Sequence, residues 1–319
     1  MRGVARFIGT RLVLAVLTLV VISAITFFAT NVVPSDPARI ALGKDATPEQ
    51  LQEYNRQQNL DQPVFERYVH WVSDAVRGNW GTSVLSQQTV TSMVIPRIGR
   101  TALLGLLAML IAVPMAFFLG VYSAQRSGKA VDGAISFSAL FINSLPEFVV
   151  AITLLVVFGV ELGWLPIESS AVAFGAGLDV VKAYILPVLT LATVLTPYMT
   201  RMIRANVRDV AGRPFIRSAV LRGLTRRRVV WRHVVPNASL PVVNVVALSM
   251  AELIGGVVVI ETVFGFPGIG QLLVDSVGSR DIPTVQVIAL IIGGGVVLLN
   301  FVADGIVLLL NPQLRGAKS

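Results

Sequence analysis

The sequence has no cysteine and only two histidines in 319 residues. A disulfide framework, a thiolate zinc site and a cysteine nucleophile are therefore all excluded. His70 and His233 stand far apart, and no H-E-x-x-H pair exists to hold a metal. Charge is scarce too: Asp, Glu, Lys and Arg make up 14% of the chain, against about a quarter in soluble domains. No phosphate loop of the G-x-x-x-x-G-K-S/T type occurs, so the chain is not expected to bind or hydrolyse ATP. Gly255-Gly256 and Gly293-Gly294-Gly295 lie within apolar runs. Glycine there serves close helix packing, because a phosphate cradle needs a strand-to-helix turn.

What is abundant is apolar residue, 54% of the total, gathered into long uninterrupted runs. Six are long enough to cross a bilayer, near 12–32, 101–123, 134–160, 183–203, 239–264 and 284–310. Their continuity excludes a β-barrel, whose strands alternate. The expected fold is an all-α polytopic membrane protein. Arg2, Arg6 and Arg11 before the first run resemble a signal-peptide start. That run is nevertheless of full spanning length and leads into Asn31-Val32-Val33-Pro34 without an A-x-A-like site. An uncleaved first span is expected.

The charges set the orientation. Arginines precede the first run, Arg126 and Lys129 follow the second, and Arg315 and Lys318 end the chain. The stretch 201–235 holds ten Arg and a single acid, Asp209. With six spans these regions share one face, which the positive-inside rule makes cytoplasmic. Both termini then lie in the cytoplasm, and the basic excess is explained without nucleic acid. The opposite side receives segments 33–97, 161–182 and 265–283. The first is too long for a plain loop and predicts a small cap. Thr47-Pro48-Glu49-Gln50 there is a helix start, and a second helix is expected from Pro63 to Val76, stopped at Gly78.

Within the arginine-rich stretch, Gly212-Arg213-Pro214 breaks the fourth span, and Pro214 opens a short helix that Gly223 closes. Phe215, Ile216, Ala219 and Val220 form its apolar side, and the small Ala219 and Gly223 permit close approach. A further helix is expected from the Thr225 cap to about Val235, with Pro236 and Pro241 flanking the return into the membrane. Two readings stand: a helix resting on anionic lipid, and a plug for a groove on a soluble partner.

The segment Arg217-Ser218-Ala219-Val220-Leu221-Arg222-Gly223, with Pro236 beyond it, resembles the EAA-type loop of ABC importer permeases. Arg217 and Ser218 replace the Glu and first Ala of that pattern, and a salt bridge at that Glu is not expected here. Other motifs follow in the order of the same family. They are Pro34-Ser35-Asp36-Pro37-Ala38, Ala46-Thr47-Pro48-Glu49-Gln50, Leu60-Asp61-Gln62-Pro63, Arg77-Gly78-Asn79-Trp80-Gly81-Thr82-Ser83, Glu261 to Gly270 and Asn311-Pro312-Gln313. Together they resemble the first permease subunit of the dipeptide/oligopeptide/nickel importers.

That resemblance implies a multi-pass protein of a bacterial inner membrane with no cofactor on this chain; ATP and Mg belong to partner ATPases. It implies a second homologous permease, two cytoplasmic ATPases and an external solute-binding protein as partners. Phe215, Ile216, Ala219, Val220, Arg222, Gly223 and Leu224 would couple to the ATPases. Residues 1–95 would form the first span and cap, 96–311 the permease domain with its loop near 212–236, and 312–319 a tail. The cargo implied is a short peptide, with nickel chelate, glutathione or another small solute as alternatives.

Polar groups inside spans are costly and often functional. Asn143, Glu147 and Glu252 are the pathway candidates. Their plainer role is as paired groups at helix interfaces. Glu261 belongs to the outer motif with Gly265, Pro267, Gly268 and Gly270, where a tight turn is expected. Asp304 reads as an end-of-span pairing group. An ion-coupled secondary transporter using Glu147 and Glu252 is the competing class; it has no use for a cytoplasmic docking helix.

Overall fold

The computed structural model describes residues 2–32, 46–57 and 61–310. The Pro34–Ala38 motif, Leu60 and the tail from Asn311, with Arg315 and Lys318, lie outside the described residues. Helices account for nearly all of the rest: α1 (Arg2–Val32), α2 (Pro48–Gln57), α3 (Val64–Val76), α4 (Val90–Gln125), α5 (Ala130–Asn143), α6 (Glu147–Leu154), α7 (Ala171–Phe174), α8 (Leu178–Ala211), α9 (Pro214–Leu221), α10 (Arg226–Val229), α11 (Val235–Val263), α12 (Ile269–Gly278) and α13 (Ile282–Leu310). Short π-helical stretches extend α6 through Leu155–Glu161 and join α10 to α11 through Val230–Val234. Among the described residues the single β-bridge pairs Thr82 with Thr89.

Five helices are long and apolar enough to cross a membrane: α1, α4, α8, α11 and α13. The third apolar run of the sequence is not a straight span. It is broken into α5 and α6, which meet at 101°. Pro146 is the cause, since a proline drives the preceding residue out of the helical region and removes a backbone donor. Counted as one bent crossing, the pair brings the total to six.

The helices form two compact units. One contains Thr101–Pro267 with residues 2–8 and 298–310, and α8 is its axis. Leu186, Leu191, Met199 and Ile203 on α8 are almost completely buried among Leu104, Ala108, Ala112, Val257 and Ile260. Gly120 of α4 permits a close approach to α8: a Cβ there would stand 2.9 Å from the Thr200 carbonyl oxygen and from Ile203 Cβ. Gly256 is also a contact glycine, whereas a Cβ on Gly255 would meet open space.

Two buried polar devices hold this unit. Pro187, inside α8, cannot donate to the Ala183 carbonyl one turn back. The buried Ser169 hydroxyl donates to that carbonyl instead (2.8 Å), and the Ser169 amide donates to Phe264 at the end of α11 (2.8 Å). The second device is Asp132, at the start of α5 and 4% exposed. Arg204 of α8 donates to both of its oxygens, Nε at 2.6 Å and Nη2 at 2.8 Å. The Ser123 hydroxyl of α4 and the Gly128 amide complete the set at 2.5 and 3.0 Å. A fully satisfied carboxylate thus clamps α4, α5 and α8 beside the arginine-rich loop.

The other unit contains Gly9–Arg100 and Gly268–Val297. Helix α2 opens on the expected reciprocal cap: the Thr47 amide donates to Gln50 Oε1 (2.9 Å), and the Gln50 amide to the Thr47 hydroxyl (3.4 Å). Helix α3 lies on α1 through an aromatic group of Phe27, Phe28, Tyr68 and Trp71, and Ser23 and Tyr68 share a hydrogen bond of 2.8 Å. Val90, Val94, Ile269, Leu272, Val287 and Ile288 form a small core. Segment 265–283, expected as a loop, contains α12. Beyond it, buried Asp281 accepts from the Thr284 hydroxyl (2.7 Å) and the Val84 amide (3.1 Å).

Gly120→Ala is expected to lower the melting temperature of the purified protein, because a backbone oxygen cannot yield. Gly255→Ala, with open space and better helix propensity, is expected to leave it unchanged or raise it. Asp132→Ala is expected to cost about 2 kcal/mol. That lies below the cost of breaking a fully buried pair, because the Arg204 side chain is about a quarter exposed. Denaturation in detergent compared with the unmodified chain measures all three.

Candidate functional site

The loop between α8 and α11 begins where Gly212 ends α8 and its amide caps the carbonyls of Arg208 and Asp209. Arg213 then turns the chain, donating to Asp209 at 3.0 Å, and Pro214 starts α9 at the first helical position, where its missing N–H costs nothing. Helix α9 ends at Leu221. Gly223 takes φ +79° and its amide donates to the Val220 carbonyl at 2.9 Å. Nothing lies within 4 Å of where a Gly223 Cβ would be. The glycine therefore serves the left-handed turn, and close approach of a neighbour plays no part within the chain.

The apolar side expected from the sequence is divided. Ile216 is buried, and Ala219 and Leu224 pack against the chain's own core. Phe215 (45%), Val220 (55%) and Leu221 (87%) face outward, with Arg222 exposed beside them. So α9 is seated by Ile216 and Ala219 and presents Phe215, Val220 and Leu221. Leu221 was not singled out by the sequence. Its signal was available: a leucine one residue before the helix-stopping pair cannot share the inward face of Ile216.

Beyond Gly223, Thr225 occupies the N-cap position of α10, but its hydroxyl makes no capping bond. No break follows: α10, the π-helical turn and α11 are one continuous rod. Pro236 falls in the first turn of α11 and Pro241 inside it, where the sequence had placed flanks. The Asn237 side-chain amide donates to the His233 carbonyl at 2.6 Å, one turn back. Arg226 reaches across to the Gln125 carbonyl at the end of α4 (2.8 Å). This contact and the Asp132–Arg204 clamp fix the loop's base to the membrane helices. Asp132 was also missed by sequence reading, which lacks the long-range contact that makes one acid among many a clamp.

At the α5–α6 bend, Asn143 is exposed and Glu147 half-buried. Glu147 opens α6, where a carboxylate is favoured by the helix dipole. Its Oε2 lies against Gly256 of α11, so close that a Cβ there would stand 2.6 Å away. Glu252, exposed, sits one turn from Gly256 on the same face. The structure thus brings Glu147 and Glu252 to one surface. Asp304 is half-buried on α13.

Helix α11 ends in a Schellman motif: Gly265 takes φ +55°, the Phe266 amide donates to the Glu261 carbonyl (2.8 Å), and the Gly265 amide donates to Thr262 (3.4 Å). The Glu261 side chain is fully buried and accepts from the Thr101 hydroxyl at 2.5 Å. Phe266 packs edge-on to Tyr184 with ring centroids 5.2 Å apart, and Pro267 is buried. Gly268 is the extended residue before α12, and Gly270 lies buried in its first turn. The outer turn is built of backbone caps and core. Among the described residues no group of three or more His, Asp or Glu could hold a metal ion.

Residues 116–316 match the family described as binding-protein-dependent transport system inner membrane component, and residues 4–105 match its N-terminal region. The glutathione transport system permease protein of Escherichia coli is 34% identical over 97% of this chain and 98% of its own. A probable peptide ABC transporter permease protein of Sinorhizobium fredii is 31% identical over 97% and 99%. In fold, the chain is similar to a chain of the MetNI methionine ABC transporter solved in inward-facing conformations. That match has a TM-score of 0.50 and 17% identity, and covers 67% of this chain and 92% of the other. The chain belongs to the binding-protein-dependent transport system inner membrane components, of the dipeptide/oligopeptide/nickel type, and is a permease subunit of an ABC importer.

Proposed function

We propose that this chain forms half of a translocation pathway for short peptides and is driven by cytoplasmic ATPases through α9. The observation that carries the reading is the division of α9. Ile216 and Ala219 anchor the helix to its own core, while Phe215, Val220 and Leu221 leave an apolar knob exposed on a loop rich in arginine. An apolar knob at the water-facing end of a spanning helix is costly unless a partner covers it. The arginines place that loop in the cytoplasm, where two ATPases would receive it. Mg and ATP would be held by them, and this chain would carry no cofactor and no catalytic residue.

Motion of α9 would pass to α8 and α11, which flank it in the chain, and to α4 and α5 through Arg226 and the Asp132–Arg204 clamp. A second, homologous permease would complete the pathway. Exposed Glu252 and half-exposed Glu147 support this placement, because a carboxylate facing hydrocarbon is expensive. That face of α11 is therefore one that lipid does not cover. Asn143 at the bend would share it. An external solute-binding protein would deliver cargo at the side of α2 and α3. Residues 1–95 would act as first span and cap, 96–311 as the permease proper and 312–319 as a tail.

Peptide cargo is supported by the relatives, one named for peptide and another for glutathione, itself a small modified peptide. Glutathione is the second reading on that ground. Family membership removes the basis for an ion-coupled secondary transporter.

Replacing Leu221 with Glu is expected to abolish uptake of a labelled dipeptide and to release the ATPases during co-purification, with the permease still in the membrane. Gly223→Val, strained at φ +79°, is expected to reduce both at least tenfold. Full uptake and intact assembly in Leu221→Glu would overturn the docking role. Normal dipeptide uptake in a strain lacking the permease would overturn the cargo, leaving labelled glutathione as the next solute to test.

A further inference from the structure

The arginines of the loop are not equivalent. Arg213 is bound to Asp209, the sole acid of the stretch, Arg204 to Asp132, and Arg226 to the Gln125 carbonyl. Arg227, Arg228 and Arg232 pair with no acid among the described residues. They are also the ones that converge. With Thr225 and Trp231 they line an open groove of about 460 Å³ on α10 and the π-helical turn after it. Arg228 and Arg232 stand about one turn apart on one side of the rod, and Arg227 and Trp231 do the same beside them. Like charges one turn apart weaken a helix unless an anion lies between them. The groove therefore gathers three uncompensated guanidiniums, a hydroxyl and an indole N–H, all donors.

Its depth identifies the anion. The Trp231 ring meets the Phe117 ring of α4 with centroids 6.3 Å apart. Phe117 is eight residues before the end of α4, about 12 Å along its axis, and its neighbour Phe118 is a largely exposed apolar side chain. Trp231 is itself 44% exposed. A half-exposed indole leaning on the flank of a spanning helix is the arrangement of a residue at the membrane–water boundary. A groove at that level, on the side of the rod, faces lipid headgroups. Trp231 and the arginine stems give its lining apolar surface, since such stems lie along apolar groups while their heads reach polar ones.

We propose that this groove is a binding site for the phosphate of an anionic phospholipid in the leaflet on the arginine-rich side. Arg227, Arg228 and Arg232 hold the phosphate, by forked hydrogen bonds where two donors of one guanidinium reach it. Trp231 sets the glycerol level. The bound lipid neutralises the Arg228–Arg232 repulsion and steadies the segment that links α9 to α11. The site rests on the membrane orientation argued above but not on the nature of the cargo.

The test uses the assembled transporter in nanodiscs of phosphatidylcholine alone and of phosphatidylcholine mixed with phosphatidylglycerol. Lipid retained after detergent extraction is counted by native mass spectrometry. Arg227→Gln, Arg228→Gln and Arg232→Gln, singly and together, are compared with Arg208→Gln outside the groove. Phosphatidylglycerol retention is expected to fall about fivefold for each guanidinium removed. Arg208→Gln should retain it, and phosphatidylcholine should be indifferent throughout. Quenching of Trp231 by brominated phosphatidylglycerol, stronger than by brominated phosphatidylcholine and lost in Trp231→Phe, reads the same site without altering an arginine. Equal retention in the triple variant, or equal quenching by both lipids, overturns the proposal. Full competition by inorganic phosphate makes it a free-anion site and overturns the lipid assignment. Loss of ATPase from the triple variant with lipid retention intact assigns the groove to an acidic protein surface instead.

Discussion

Hydrocarbon offers no hydrogen bonds, so a charge or a freed backbone group carried into the membrane-spanning part is costly unless the protein meets it. The architecture follows from that constraint. Pro187 removes a donor from the axis helix, and the freed Ala183 carbonyl is met by Ser169, brought from the connection before α8. Asp132 carries a negative charge to the start of α5 and is met by Arg204, Ser123 and the Gly128 amide. The last turn of α11 closes its carbonyls through Gly265 and buries Glu261 against Thr101. The Asp132–Arg204 and Thr101–Glu261 bonds join helices distant in sequence, so meeting these groups also fixes the tertiary arrangement.

The same rule separates scaffold from working parts. Where a polar or apolar group is left unmet, a partner is implied. Phe215, Val220 and Leu221 are apolar groups left in water, and Glu147 and Glu252 are acids within or beside apolar helices. Arg227, Arg228 and Arg232 are cations that pair with no acid among the described residues. In the functions proposed above, the three sets would meet a soluble subunit, a second permease and an anionic lipid. Between them lies a rod continuous from Arg226 to Val263, braced to α4 at Gln125. A push on α9, as proposed above, would be delivered to packed helices and not absorbed in a slack loop.

Much of this was legible in the chain because the signals are local. Run length gave the spans, the Thr47–Gln50 spacing gave a helix cap that the structure reproduces bond for bond, and Pro214 with Gly223 bracketed α9 to within a residue. The bend at Pro146 was less legible, since apolarity continues across it and hydropathy carries no angle. The helix after Gly268 was hidden because ten residues are too few to stand out beside a spanning run.

By itself the sequence determined that the chain lives in a bilayer and which family its ordered motifs belong to. These depend on composition, period and order along the chain. Only the tertiary structure decided that Ile216 faces inward while Leu221 faces outward, and that Asp132 belongs to Arg204. It alone decided that Glu147 leans on Gly256 and that three of ten loop arginines share a groove. Those are facts about which side of a helix meets which neighbour, and they arise only when packing brings residues up to about a hundred positions apart into contact.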